Sequence, residues 1–143
     1  MVRFKNRYVV VDVDVERGWS ERSTVGKATR DALGRALHEN FGDVLGGVAN
    51  ASVSVKHAHA ESGVVLVRCS TSSARVVRAA IGLMRGDVAS ARGASGTLKR
   101  AKEACARRAK EKMSDMVARG KMNAREMEDA LERQKKALEA CAP

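Results

Sequence analysis

Two hydrophobic periods follow one another near the start of the chain, and the switch between them restricts the folds open to it. Val9, Val11, Val13 and Val15 fall on one face of a β-branched run, with Asp12 and Asp14 on the other. A period of two over Tyr8 to Val15 predicts a strand. Arg17-Gly18-Trp19-Ser20 breaks it. From about Ser23 to Phe41 the period lengthens: Val25, Ala28, Ala32, Leu33, Ala36 and Leu37 recur at helical spacing. Gly42-Asp43 is expected to end that helix, as a glycine commonly does. A strand feeding a helix at once is the opening of a mixed α and β fold.

Val53, Val55 and His57 predict a second strand, and Val64 to Cys69 a third. Ala60-Glu61-Ser62-Gly63 between them suits a hairpin turn. Ser72 or Ser73 is placed to cap a second helix, whose buried face would hold Val76, Val77, Ala80, Ile81 and Met84. A weaker extended segment runs from about Val88 to Ala91. The order is β-α-β-β-α-β. This predicts a ferredoxin-like (RRM-like) α+β sandwich on an antiparallel sheet, with C-terminal helices added. Leu98, Ala101, Cys105, Ala109, Met113 and Met116 share one face of a long helix. Gly120 breaks it, and Asn123 followed by Glu126 reads as a capping box. A last helix, about 124–140, would bury Met127, Leu131 and Leu138. It is expected either to close a helical hairpin or to swing free at Gly120. The methionines Met113, Met116, Met122 and Met127 near the break suit core packing, the alternative being a groove for a partner.

The net charge of +10 and pI near 10.1 suit a polyanionic partner, because each phosphate met by Lys or Arg releases counterions. A basic chain that merely stays soluble is the plainer alternative. The charge is concentrated: residues 97–121 carry nine Lys and Arg against three Asp and Glu. On a helical wheel Lys99, Arg100, Arg107 and Lys110 form one arc opposite the apolar stripe, diluted by Glu103. Arg3, Lys5 and Arg7 add a second basic run before the first strand. Such cations position a nucleic-acid backbone rather than read bases. The sheet mode of reading single-stranded RNA needs stacking aromatics, and Val64 to Cys69 has none. The three cysteines Cys69, Cys105 and Cys141 form no CxxC pair, which favours a reducing compartment. No apolar stretch is long enough for a membrane helix, and the N-terminus lacks the pattern of a secretory signal.

Asp12, Asp14 and Glu16 alternate on one face and could hold Mg²⁺ for phosphodiester hydrolysis. The alternative is a solvent-facing strand edge whose carboxylates discourage aggregation. His57 and His59 share a face, but no third zinc ligand stands out. Gly26-Lys27 lacks the rest of a phosphate loop.

Four stretches, in order along the chain, resemble one family. They are Val2-Arg3-Phe4-Lys5-Asn6-Arg7-Tyr8; Arg30-Asp31-Ala32-Leu33 with Phe41-Gly42; Gly63-Val64-Val65-Leu66-Val67-Arg68-Cys69; and Ser95-Gly96-Thr97-Leu98-Lys99-Arg100. Together they resemble the small processing-of-precursor-RNA subunit (subunit five) family of ribonuclease P and ribonuclease MRP. The chain departs from the family in the small residues of Val88 to Ala94 and in a His57 to Gly63 turn without an aromatic.

The resemblance implies a non-catalytic subunit of an RNA-based endoribonuclease, serving 5′ maturation of precursor tRNA and processing of rRNA. It implies contact with ribonuclease P RNA and MRP RNA, a barrel-shaped protein companion, precursor tRNA nearby, and a place in the nucleus and nucleolus of a eukaryote. No cofactor is expected in the protein, any Mg²⁺ being held by the RNA. The expected RNA contacts are Arg3, Lys5, Arg7, Lys99, Arg100 and Lys102. Gly96 would permit close backbone approach. Thr97 would cap the helix and offer its hydroxyl to a phosphate. Residues 1–119 would form the RNA-binding domain, basic helix included, and 120–143 a helical extension. The rival functions are a free-standing Mg²⁺ nuclease and an adaptor that binds protein only.

Overall fold

The computed structural model describes residues 5–14, 25–84 and 89–143. The elements are β1 (Asn6–Val13), α1 (Val25–Phe41), α2 (Gly47–Ser52), β2 (Ser54–His59), β3 (Val64–Ser70), α3 (Ala74–Gly82), β4 (Ala89–Ser95), α4 (Leu98–Ala118) and α5 (Ala124–Ala140). The strands form one sheet in the order β2-β3-β1-β4, and every neighbouring pair is antiparallel. That is the ferredoxin-like arrangement expected from the element order. The expected strand end at Val15, the break at Arg17 to Ser20, the helix start at Ser23 and the strand start at Val88 lie outside the described residues.

Period-two alternation splits the sheet into two buried faces. Val9, Val11 and Val13 of β1 and Val65, Val67 and Cys69 of β3 pack with Leu33 and Leu37 of α1 and Val77 and Ile81 of α3. Tyr8 and Val10 of β1 and Val64 and Leu66 of β3 point the other way. They pack with Ala101, Cys105 and Ala109 of α4 and Leu138 of α5. Each fully buried Val or Leu contributes roughly 1.5–3 kcal/mol, so the second face is a core in its own right. The basic helix is therefore a structural layer: helices cover both faces of the sheet. This also closes the sheet surface on which bases would otherwise stack.

The helical hairpin is the form adopted at Gly120, whose φ is +73°. The expected capping box is present: Asn123 Oδ1 accepts from Glu126 N at 2.8 Å, and Glu126 Oε2 accepts from Asn123 N at 3.0 Å. The buried residues of α5 are Ala130, Gln134 and Leu138, while Met127 and Leu131 are half-buried. A polar Gln at the centre of the stripe hid its true phase.

Other expectations need correction. Gly42, with φ +75°, does turn the chain, but Gly42–Gly46 continues as a π-helical turn into α2. Gly46 makes this possible, because a Cβ there would strike the Leu37 carbonyl on α1. Arg30 then clamps α2, donating to Asn50 Oδ1 at 2.7 Å and Asn50 O at 3.1 Å. Neither Ser73 nor Thr97 caps its helix with a side-chain hydrogen bond. β1 is not an edge strand: it lies between β3 and β4, and Asp12 is buried.

Candidate nucleic-acid interface

Strand direction brings distant stretches of sequence to one end of the sheet. β1 begins there, β3 and β4 end there, and α4 starts immediately after β4. In register, Arg7 pairs with Cys69, and Tyr8 with both Arg68 and Ser95. The Lys5 carbonyl accepts from Thr71 N at 3.1 Å and Thr71 Oγ1 at 2.9 Å, which fixes the start of β1 to the end of β3 and leaves the Lys5 side chain in solvent. The Arg7 guanidinium lies over Gly96, where a Cβ would collide with Nη1. The glycine thus makes room for an arginine of the chain itself.

The turn into α4 is held by Ser95, whose hydroxyl donates to Thr97 O at 3.1 Å and accepts from Thr97 N at 3.4 Å. Thr97 occupies the N-cap position in extended conformation, with its exposed side chain uncommitted to capping. The first turn of α4 contains no acidic residue, and Lys99 and Arg100 stand exposed within it. Cations at a helix N-terminus oppose the macrodipole and cost stability of a few tenths of a kcal/mol or more. The same arrangement adds the helix end and two side chains into one site of positive potential.

Farther along α4 the cations are sorted by position. Arg107 and Lys110 are exposed and make no ion pair among the described residues. Arg108 and Lys112 turn beneath the helix onto Asp12. Arg108 donates to Asp12 Oδ2 from Nη2 at 2.6 Å and from Nε at 2.9 Å. Lys112 Nζ lies 2.8 Å from Asp12 Oδ1 and donates to Val13 O at 3.1 Å. Burial alone would raise the Asp12 pKa, but the hydrogen bonds and charges of Lys112 and Arg108 outweigh it and hold the carboxyl below its ordinary value. Asp12 therefore pins α4 to the sheet. Asp14 is half-buried, and Glu16 lies outside the described residues.

Lys102 behaves differently from its neighbours. It is half-buried and donates to Cys141 O at 2.6 Å, tying the end of α5 to α4. Arg3 lies outside the described residues. Lys5, Arg7, Gly96, Thr97, Lys99 and Arg100 share the one end of the sheet. Arg68 joins them and was not singled out from sequence. It sits on β3 between Tyr8 and Ser54, half-buried, with a buried Nε that has no hydrogen-bond partner among the described residues. Its signal in the sequence is an arginine inside the apolar run Val64 to Cys69.

His57 and His59 do share a face, stacked with ring centroids 6.5 Å apart. His59 Nδ1 lies 2.6 Å from Ser62 Oγ, and Nε2 lies 3.3 Å from Ala130 O and 3.3 Å from Glu61 Oε2. Nε2 faces two acceptors, so it carries the proton of the neutral ring, and Ser62 donates to Nδ1. Burial is the first cause of lowered pKa values at both rings, bringing His57 to about 4. The pair docks α5. Among the described residues no three His, Cys, Asp or Glu group as a metal site.

Residues 7–106 match the model of the Rpp14/Pop5 family. The chain is also 35% identical over 79 residues to the ribonuclease P/MRP protein subunit POP5 of Danio rerio, a match covering 54% of this chain. The chain spans about half the length of that relative, 47% of it. The matched residues run from β1 into the first turns of α4, and so include the last three stretches on which the resemblance rests, with Arg7 and Tyr8 from the end of the first. The chain belongs to the Rpp14/Pop5 family.

Proposed function

We propose that the chain is a non-catalytic, RNA-binding subunit of ribonuclease P and ribonuclease MRP, acting in the nucleus and nucleolus to support 5′ maturation of precursor tRNA and processing of rRNA. The observation that carries this reading is the convergence of Lys5, Arg7, Arg68, Lys99 and Arg100 on one end of the sheet, beside a helix start without acidic residues. These cations meet the sugar-phosphate backbone of the RNA subunit, which holds the catalytic Mg²⁺. Thr97 offers its hydroxyl to a phosphate. Asp12, committed to Arg108 and Lys112, argues against a nuclease centred on β1.

The barrel-shaped companion docks on the π-helical turn and α2. Val44 is 82% exposed, Leu45 53% and Val48 64%, an apolar ridge held outward by the Arg30 clamp on Asn50. Exposed apolar side chains grouped in this way mark a protein contact.

The test is reconstitution. The chain, its RNA subunit and the companion are mixed with precursor tRNA and Mg²⁺, and cleavage is measured with each component left out. The reading predicts cleavage that requires the RNA and rises with the chain. Cleavage by the chain alone, lost in Asp12→Ala, overturns it in favour of the nuclease. Companion binding with no affinity for RNA overturns it in favour of the protein-only adaptor.

A further inference from the structure

The second exposed cationic surface is on the other side of the sheet. The outward face of α3 carries Arg75, Arg78, Ala79 and Gly82, all exposed, at positions i, i+3, i+4 and i+7. Its inward face buries Val77, Ala80 and Ile81. Residues 71–84 contain no Asp or Glu, and neither arginine makes an ion pair among the described residues. Like charges three apart on a helix cost a few tenths of a kcal/mol, and no carboxylate among the described residues relieves this. On α4, by contrast, Glu103 dilutes the exposed arc and Glu111 pairs with Arg108 at 3.1 Å.

An open cleft of about 480 Å³ runs between α3 and β4, lined by Arg75, Arg78, Ala79, Gly82 and Ala91. Among the described residues its lining is small side chains and two guanidinium groups, with no large apolar residue to anchor a protein. Small residues let a sugar-phosphate chain come close to the helix, and the guanidinium groups can each take a phosphate by two hydrogen bonds. Across β4, on the α4 side, Arg107 lines a second cleft of about 380 Å³ with Tyr8, Gly93, Ala94 and Ser95. β4 is an outer strand, so arginines flank it on both faces.

We propose that the α3–β4 cleft is a second RNA-binding surface, with Arg75 and Arg78 holding the phosphates of an RNA segment separate from the one at the α4 start. This rests on the RNA-binding reading above. The chain then grips RNA from both faces of its sheet, with the outer strand β4 between the two segments.

The test measures affinity for the ribonuclease P RNA of the source cell against salt concentration, with hydroxyl-radical footprinting of the same complexes. Four full-length proteins are compared: wild type, Arg75→Ala with Arg78→Ala, Lys99→Ala with Arg100→Ala, and Arg75→Lys with Arg78→Lys. Each lost phosphate contact lowers the slope of log affinity against log salt by about 0.9. Both alanine pairs should therefore flatten it by about 1.8, the lysine pair should keep it, and each alanine pair should uncover a different RNA segment. An unchanged slope and footprint in the α3 alanine pair, with a flattened slope in the α4 pair, overturns this inference and leaves the RNA reading intact. The same unchanged slope with loss of an acidic protein from the assembly also overturns it, and makes the cleft a protein contact. Wild type that binds no RNA overturns the parent reading instead.

Discussion

At the scale of single residues, the ion pair that fixes α4 to the sheet decides the most. Asp12 is buried between Arg108 and Lys112, and both cations retain partial contact with solvent. Asp12→Asn should cost about 3 kcal/mol, the lower end for opening a buried pair, because the freed cations can reach outward. Equilibrium urea unfolding measures it, and a loss below about 1 kcal/mol would contradict the assignment. Gly63 is the second sensitive position. It holds φ +71°, and a Cβ there would strike the Val13 carbonyl. The left-handed backbone costs a non-glycine residue roughly 1–2 kcal/mol, so Gly63→Ala should lose at least about 2 kcal/mol with the clash included. The face of β1 that holds Asp12 was legible from the alternation of valines. Its partners were not, because Arg108 stands 96 residues away on α4 and Lys112 one turn beyond it, and the pairing depends on how α4 crosses the sheet. Arg68 was overlooked for a related reason, since a single charge inside an apolar run reads as noise until the strand has neighbours.

At the scale of elements, periodicity located the strands and long helices, and local chemistry located Gly120 and the Asn123–Glu126 box. It missed α2, because a glycine after a helix normally ends it. Here Gly46 lets the backbone settle on the Leu37 carbonyl and helical structure continue. It also misjudged α5, where Gln134 is buried and composition points elsewhere. The docking of α5 on β2 carries a pH dependence. Burial lowers the His57 pKa from 6.5 to about 4 in the folded chain, and the His59 pKa is lowered too. The unfolded chain then binds the proton first, so stability is complete above pH 6.5 and falls as pH drops from there to about 4. The Asp12 pKa is lowered from 3.8, so its contribution is present above that value and disappears as pH falls below it. Urea midpoints across pH should show the first loss in wild type, and His57→Leu should reduce it. A flat profile between pH 6.5 and 4 in wild type would contradict the buried, neutral histidines.

At the scale of the whole molecule, the sheet divides the labour. Cations are displayed at the end of the sheet where β1 begins and on the outward faces of α3 and α4, and the α2 region displays an apolar ridge. Val44→Asp with Val48→Asp should abolish co-purification of the barrel-shaped companion while leaving the thermal midpoint of the isolated chain within a few degrees, because both residues are exposed. The ferredoxin-like order of elements was legible from the sequence; the use of α4 as a second core layer was not, since its alanine and cysteine stripe could as well have faced a partner. The proposed function requires that RNA be held at the end of the sheet where β1 begins and α4 starts. The most direct measurement is ultraviolet cross-linking of the assembled, full-length chain to its RNA, with the linked peptides identified by mass spectrometry. Cross-links should fall on Lys5, Arg7, Thr97, Lys99 and Arg100; cross-links confined to α5, or none at all in the presence of the RNA and the companion, would contradict it.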